Sequence, residues 1–316
     1  LRIGIYTSVG PGAPLSNLLA RFRQIEAAGF HTAWLGQMFE YDALTVLALA
    51  ARSTERVELG SWVIPTYPRH PAALAQHALT VQAAAAGRLA LGIGVSHRAV
   101  ISDRFGLDFD DPVAHMAEYI DVLRPLLHGE RVDFAGAEFR TSLKLDVDPR
   151  LPAPALLLAA LGPNMLELAG RAADGVAIWL GGARYLEDFA IPRVVDAAYE
   201  ADRAEPRIVC GLPIAITSDT EAGRRSAHEF TKQSSRLPSY RRILARQDLT
   251  TAAEVALIGD EVEILDALDH LAVLGVSDFN AILFPVEGDP GARDRTFELL
   301  ARLSRLTRGE TTEPSN

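Results

Sequence analysis

At 316 residues, with 48% hydrophobic and 23% charged side chains, the chain can build one large core or two ordinary domains and is too apolar to be largely disordered. A net charge of −10 argues against a nucleic-acid partner, since phosphate contacts need clustered Lys and Arg, but leaves room for a phosphorylated small molecule held by backbone N–H groups at a helix start. The single cysteine, Cys210, excludes an intramolecular disulfide and a thiolate-rich metal site; a buried strand position is expected for it. The opening LRIGIYTSVG has no basic n-region or long apolar run, and no stretch approaches the ~18 apolar residues of a membrane span. A cytoplasmic protein with no membrane partner is expected.

Short runs rich in Val, Ile and Leu alternate with segments of helical period, as in βα units. The first strand, Arg2–Tyr6, leads through Thr7 and Ser8 into a Gly-Pro-Gly turn; SNLLARFRQIEAAG then reads as a helix capped by Ser16 and ended by Gly29. The second, Thr32–Leu35, runs into Gly36, Gln37 and Met38. The third, Val57–Val63, places Ser61, Trp62 and Thr66 at a rim before a helix opened by Pro71. The fourth, Leu89–Ile93, ends in Gly94, Ser96 and His97, and a polar excursion over 96–114 follows. After the helix AHMAEYIDVLRPLL comes a β-like run, RVDFAGAEFRT, that turns at Gly136. The fifth strand, Ala155–Leu158, leads to AALGPNM, where Gly162 and Pro163 open a helix. The sixth, Gly175–Trp179, ends in Gly181 and Gly182. The seventh, Ile208–Ile216, precedes a charged helical excursion within 219–258, and the eighth is Asp278–Phe284.

Eight strands separated by helices point to an α/β fold, a (β/α)₈ TIM barrel with insertions after strands 4 and 7. It would form a single domain over 1–307 followed by a polar tail over 308–316. A doubly wound open sheet is the rival, but GIGVSH carries His97 where a dinucleotide fingerprint needs its third glycine. Both long insertions would stand on the C-terminal face, where barrel enzymes keep their chemistry.

No metal spacing is present: His70 and His77 are seven residues apart, too far for one ion. There is no G-x-S-x-G elbow, Walker A loop or H-E-x-x-H. Taken singly, the strand-end residues have plain readings: glycines as turns, His97 as a packing or surface histidine, Trp62 as a core aromatic, Ser96 as a cap. In a barrel they share one mouth. Gly94, Gly162, Gly181 and Gly182 would let a ligand approach the backbone, the helix at Pro163 would offer its dipole to a phosphate, and Trp62, Trp179 and Met38 would wall a ring. That set suits a large planar anionic cofactor that carries its own redox chemistry.

Four segments then make a resemblance: EAAGFHTAWLGQ, LGSWVIPTYPRHPAALAQHALTVQAAAAGRLALGIGVSH, EYIDVLRPLLHGERVDFAG and LAALGPNMLELAGRAADGVAIWL. In this order the chain resembles, from about residue 2 to 305, the luciferase-like monooxygenase superfamily. The branch it resembles is the F420-dependent (deazaflavin) oxidoreductases related to methylenetetrahydromethanopterin reductase. The resemblance implies hydride transfer between coenzyme F420 and a small organic substrate, in a homodimer. It also implies a non-prolyl cis peptide at Trp62–Val63 behind the cofactor ring, a phosphate loop at Ala160, Leu161, Gly162 and Pro163, and a lining role for Ser96 and His97. The cofactor site would be completed by Ser8, Ser61, Gly94, Trp179 and Gly181, with His97 and Gln37 as catalytic candidates. Where some relatives carry an acid and a histidine after strand 2, this chain has Gln37 and Met38, neither able to donate a proton near neutral pH. His97 is then the first choice of proton donor, ahead of Tyr67 and Glu40. Two other readings stay open: an FMN-dependent monooxygenase fed by a partner reductase, and a barrel that binds a cofactor without catalysis.

Overall fold

In the computed structural model, which describes residues 1–8 and 12–309, eight parallel strands close into a ring. They are β1 (Arg2–Thr7), β2 (Thr32–Leu35), β3 (Glu58–Ser61), β4 (Leu89–Gly94), β5 (Ala155–Ala159), β6 (Gly175–Trp179), β7 (Arg207–Ile216) and β8 (Asp278–Leu283). Pairing of β8 with β1 and of β6 with β7 removes every free edge from the ring. The helices after the strands are α1 (Leu15–Ala27), α2 (Ala43–Ala51), α3 (Pro71–Ala84), α4 (Pro112–Leu127), α5 (Pro163–Ala172), α6 (Ile191–Glu200), α7 (Glu261–Val273) and α8 (Ala292–Thr307). This is the expected (β/α)₈ barrel. Gly10 and Pro11 of the expected turn, and the tail beyond residue 309, lie outside the described residues.

The third strand differs from its expected span. It stops at Ser61, crosses a cis Trp62–Val63 peptide, and resumes at Ile64–Pro65 beside Ile93 and Gly94. Ser16 is not a cap. The N-cap position falls two residues earlier, at Pro14 with φ −59°, an angle its ring already enforces, and no side chain closes the first turn. The other helix starts follow the sequence: Pro71 and Pro163 occupy first turns, and the His70 ring accepts the Ala72 N–H at 3.2 Å. Gly29 has φ +85°, the left-handed conformation that ends α1 cheaply only at glycine.

Strand alternation separates two of the core's three clusters of described residues. The large cluster lies between the strands and the helices. A smaller one, Trp34 with Ala90, Leu157 and Val209, fills the lumen, with Tyr6 and Trp62 packed on it. The Trp34 indole is fully buried and lies where side chains on Gly4 and Gly60 would otherwise stand; its Nε1 is 2.6 Å from a Cβ placed on Gly4. Above it Trp62 packs edge to face at 5.4 Å between centroids. Cys210 sits fully buried on β7, its thiol pushed up to about 12 by burial. It is structurally inert.

The insertions appear where they were expected. After β4 comes a short helix, Arg98–Ile101, and a loop to α4. Beyond α4 a hairpin of Val132–Ala135 and Arg140–Leu143 is hung from Glu118, whose carboxylate accepts the N–H groups of Ala137, Glu138 and Phe139. The excursion after β7 is not purely helical. Its helices Thr220–Arg236 and Pro238–Ala245 are followed by a strand, Leu257–Gly259, that pairs with β7.

The bottom of the lumen is closed by charge. The Arg207 guanidinium bonds both Glu58 oxygens at 3.0 and 2.9 Å and Asp278 at 2.6 Å, while Arg2 reaches the same two carboxylates. Burial alone would lower the Arg207 pKa, but the hydrogen bonds and charges of Glu58 and Asp278 outweigh it and raise it. Because Asp278 is almost fully buried, removing its charge leaves two guanidinium groups to share the single carboxylate of Glu58. Asp278→Asn is therefore expected to cost about 3 kcal/mol in urea unfolding. A loss below about 0.5 kcal/mol, the range of a neutral surface change, would contradict this role.

Candidate functional site

At the C-terminal ends of the strands lies a cavity of about 850 Å³. Val63, Gly94, Ala159, Ala177 and Trp179 form its deep part; Ala160 to Met165 form one side, and Leu237 to Tyr240 with Arg242 the other. Ser96, His97, Arg98, Asp103 and Phe109 belong to the rest of the wall. Its lining is mainly apolar, with a few polar groups converging on it, as ligand sites usually are.

Two glycines shape the cavity in different ways. At Gly94 a Cβ would stand 2.9 Å from Val63 Cγ2 and 3.1 Å from the Ala159 Cβ, so only glycine keeps the resumed third strand against β4. At Gly162 a Cβ would meet nothing within 4 Å, which leaves the backbone at the start of α5 open to the cavity. Pro163 brings no N–H, so the next two residues, Asn164 and Met165, supply the first-turn amides that lack helical acceptors. Such a helix start holds an anion.

Two non-glycine residues near this region adopt left-handed backbone: Ser96 after β4 and Leu180 after β6, both at φ +61°. That conformation costs roughly 1–2 kcal/mol at each. Ser96 itself lines the cavity and aims the loop that carries His97. The His97 ring stands edge-on to Tyr240 at 5.6 Å, with Ser239 Oγ 3.5 Å from Nδ1. Burial pushes its pKa below the usual 6.5. At neutral pH it is an uncharged imidazole, able to accept or donate a hydrogen bond but not to serve as a cationic acid.

Of the residues singled out in the sequence, the structure brings together Val63, Gly94, Ser96, His97, Ala160, Leu161, Gly162, Pro163 and Trp179. Seven others stand elsewhere. Ser61 is fully buried, its hydroxyl donating to the Gly92 carbonyl and accepting the Gly92 N–H, both at 2.9 Å. Trp62 is not a rim residue but turns into the lumen against Trp34 and Gly211. Gly181 packs on Ile178 and Tyr185, and its neighbour Gly182 on Gln247 and Val255. Ser8 is exposed at the end of β1 and does not line the cavity. Gln37 uses its side-chain oxygen to accept the Ala43 N–H at 2.7 Å, helping start α2, while Met38 is exposed.

The weaker proton-donor candidates fare differently. The Tyr67 ring stacks on His115 at 3.8 Å and its phenol is pushed up to about 12, by burial first and then by the charge of Glu138. Glu40 is exposed. Sequence reasoning missed Tyr6, Asn164, Tyr240 and Arg242. Strand alternation carried a signal for Tyr6, which shares the inward face with Gly4; nothing in the charged excursion marked which of its residues meets the cavity.

The lowered pKa gives a direct check. His97 in the folded protein is expected to titrate below 6.5 by histidine NMR, with His97→Asn identifying the signal. Because the unfolded chain takes up this proton first, its share of stability is present above pH 6.5 and declines as pH falls through the folded value. A folded pKa above 6.5 would contradict the desolvated placement.

No helix among the described residues is long and apolar enough to cross a membrane, and no group of three His, Cys, Asp or Glu side chains is placed to hold a metal. A family model described as luciferase-like monooxygenase matches residues 2–278. The F420-dependent hydroxymycolic acid dehydrogenase of Mycobacterium tuberculosis is 32% identical over 227 residues, 66% of this chain and 61% of that protein. The match thus spans about three-fifths of that relative's length. The F420-dependent glucose-6-phosphate dehydrogenase of Beutenbergia cavernae is 32% identical over 239 residues, 71% of this chain and 70% of the other. Among solved structures, the coenzyme F420-dependent tetrahydromethanopterin reductase of Methanopyrus kandleri superposes with a TM-score of 0.76 at 21% identity, covering 95% of this chain and 97% of that one. That likeness carries the fold. Together with the strand-end cavity, the family match shows that the chain belongs to the luciferase-like monooxygenase family.

Proposed function

We propose that the protein transfers a hydride between coenzyme F420 and a small organic substrate. The observation that carries this reading is the continuous cavity from Val63 and Gly94, at the barrel axis, to the open helix start at Gly162. A tricyclic ring with a phosphate-bearing side chain needs such a shape: a flat apolar seat at one end and anion-binding amides at the other. The residues present fit the group. Val63, Ala159 and Trp179 would seat the ring, and the amides of Asn164 and Met165 would take the phosphate. When bound, the deazaflavin supplies a two-electron hydride donor or acceptor.

The chain's own residues then bind, orient and exclude water. The left-handed turn at Ser96 holds His97 over the cavity wall. Neutral His97 can hydrogen-bond a substrate oxygen or take its proton, because among the described residues no partner closer than the 3.5 Å Ser239 hydroxyl competes for Nδ1. Gln37 has no part in the chemistry on this reading, since its oxygen is engaged at the start of α2. A sugar-phosphate substrate, as the name of the Beutenbergia relative gives for that enzyme, is disfavoured by the same stretch. The homodimer belongs to this proposal by family resemblance, and sedimentation at twice the chain mass checks it.

Fluorescence titration of the purified protein tests the cofactor. F420 is expected to bind at least about tenfold more tightly than FMN, a difference of about 1.4 kcal/mol. Gly162→Val, which fills the open cradle without touching the core, is expected to weaken F420 by about tenfold or more while urea stability stays unchanged. Tighter binding of FMN, accompanied by oxygen uptake on reduction, would replace this reading with a flavin monooxygenase.

A further inference from the structure

Tyr185 lies just past β6, only 1% exposed, and its hydroxyl donates to the Leu161 carbonyl at 2.7 Å. Leu161 belongs to the cavity wall and Tyr185 does not. The bond therefore takes the Leu161 oxygen from behind, on the protein side of the loop that leads to Gly162 and Pro163. For an anion this direction matters. A carbonyl turned toward the start of α5 would set a negative dipole beside the first-turn amides of Asn164 and Met165. Held behind the loop, the oxygen leaves those amides unopposed. Burial pushes the Tyr185 pKa up, so the phenol stays a protonated donor.

Tyr185 is placed by an irregular turn. Leu180 takes φ +61° at the end of β6, a short helix Ala183–Tyr185 follows, and a π-helical turn, Leu186–Ala190, runs from it into α6. Single π turns are rare and are found frequently at functional sites. The Tyr185 and Phe189 rings pack at 5.5 Å between centroids, and two guanidinium groups stand over Phe189, Arg193 at 3.8 Å and Arg246 at 4.0 Å. Arg246 opens a clasp of three consecutive residues on this turn. Gln247 Oε1 lies where a side chain on Gly182 would stand, and Asp248 pairs with Arg184 at 2.6 Å. The clasp follows directly on the helix Pro238–Ala245, which supplies Tyr240 and Arg242 to the opposite wall. Two walls of the cavity are thus joined behind its anion end.

From this geometry we infer that Tyr185 is a positioning residue for the anion end of the cavity. By holding the Leu161 carbonyl it aims the amides at the start of α5, and the clasp of Arg246 to Asp248 keeps Tyr185 in place. Its effect falls on a bound phosphate and not on the ring seat at Val63, Ala159 and Trp179. The inference rests on the proposed cofactor for the identity of the phosphate, and on the geometry alone for the anion site.

Fluorescence titration with two deazaflavins reads the two ends apart: F420, and its phosphate-free counterpart 8-hydroxy-5-deazariboflavin. Tyr185→Phe removes the donor and keeps the ring. It is expected to weaken F420 about tenfold, within the range of one hydrogen bond to a charged group, and to leave the phosphate-free deazaflavin unchanged. Arg246→Ala, which opens the clasp at an exposed position, should weaken F420 in the same selective way by about threefold, the worth of an exposed cation–π contact. It carries the test if Tyr185→Phe does not fold. Equal weakening of both deazaflavins, or of neither, overturns the inference. If the native protein binds neither, the cofactor reading falls and inorganic phosphate reads the anion end instead. The amide NMR signals of Asn164 and Met165 should then shift on phosphate titration, with an apparent Kd about tenfold weaker in Tyr185→Phe. Absence of those shifts, or the same Kd in both proteins, overturns the inference as well.

Discussion

An eight-stranded barrel leaves a lumen just wide enough for side chains to fill, and how this lumen is filled sets everything above it. Trp34 on β2 occupies the space vacated by Gly4 and Gly60, and Trp62 rests on it edge to face. The chain around Trp62 and Val63 leaves the regular strand before Ile64 rejoins beside β4. That departure turns Val63 toward the cavity while Trp62 turns down. Glycine at 94 then lets Val63 approach the neighbouring strand. Filling the lumen with two indoles therefore makes a solid floor, and the floor makes a seat.

The rest of the site is held by elements with their own support. The bottom of the barrel is locked by Arg2, Arg207, Glu58 and Asp278, a cluster whose worth lies in leaving no charge unpaired. At the top, the left-handed turns at Ser96 and Leu180 sit at the ends of β4 and β6, where packed strands can hold an unfavourable backbone. The hairpin beyond α4 is joined to the same region through Glu138, His115 and Thr66, with hydrogen bonds of 2.5 and 3.0 Å. Thr66 in turn donates its amide to the Gly94 carbonyl. An insertion far along the chain is thus tied to a cavity-wall residue.

Much of this was legible in the residues. The period of βα units predicted the barrel, and Gly-Pro at 162–163 predicted the helix start that opens the phosphate side, because proline in a first turn and glycine before it have direct backbone causes. Side-chain direction was less legible. Ser61 and Trp62 both sit at a strand end and look alike as rim candidates, yet one bonds Gly92 in the wall and the other turns inward, a difference set by the irregular backbone that follows Ser61. Gln37 looked like a replaced acid, while its oxygen serves the start of α2, six residues on. Arg242 and Tyr240 could not be picked out, since the helix Pro238–Ala245 meets the cavity only through long-range packing. Gly181 and Gly182 follow a strand as Gly94 does, but their neighbours are core side chains.

The central claim is that one cavity holds a ring at the barrel axis and a phosphate at the start of α5. Hydrogen–deuterium exchange of the protein with and without F420 tests it most directly. Protection is expected in the segments around Gly94 to His97, Ala160 to Met165 and Leu237 to Arg242, with the barrel bottom unchanged. Protection confined to other segments, or none on saturation with F420, would contradict it.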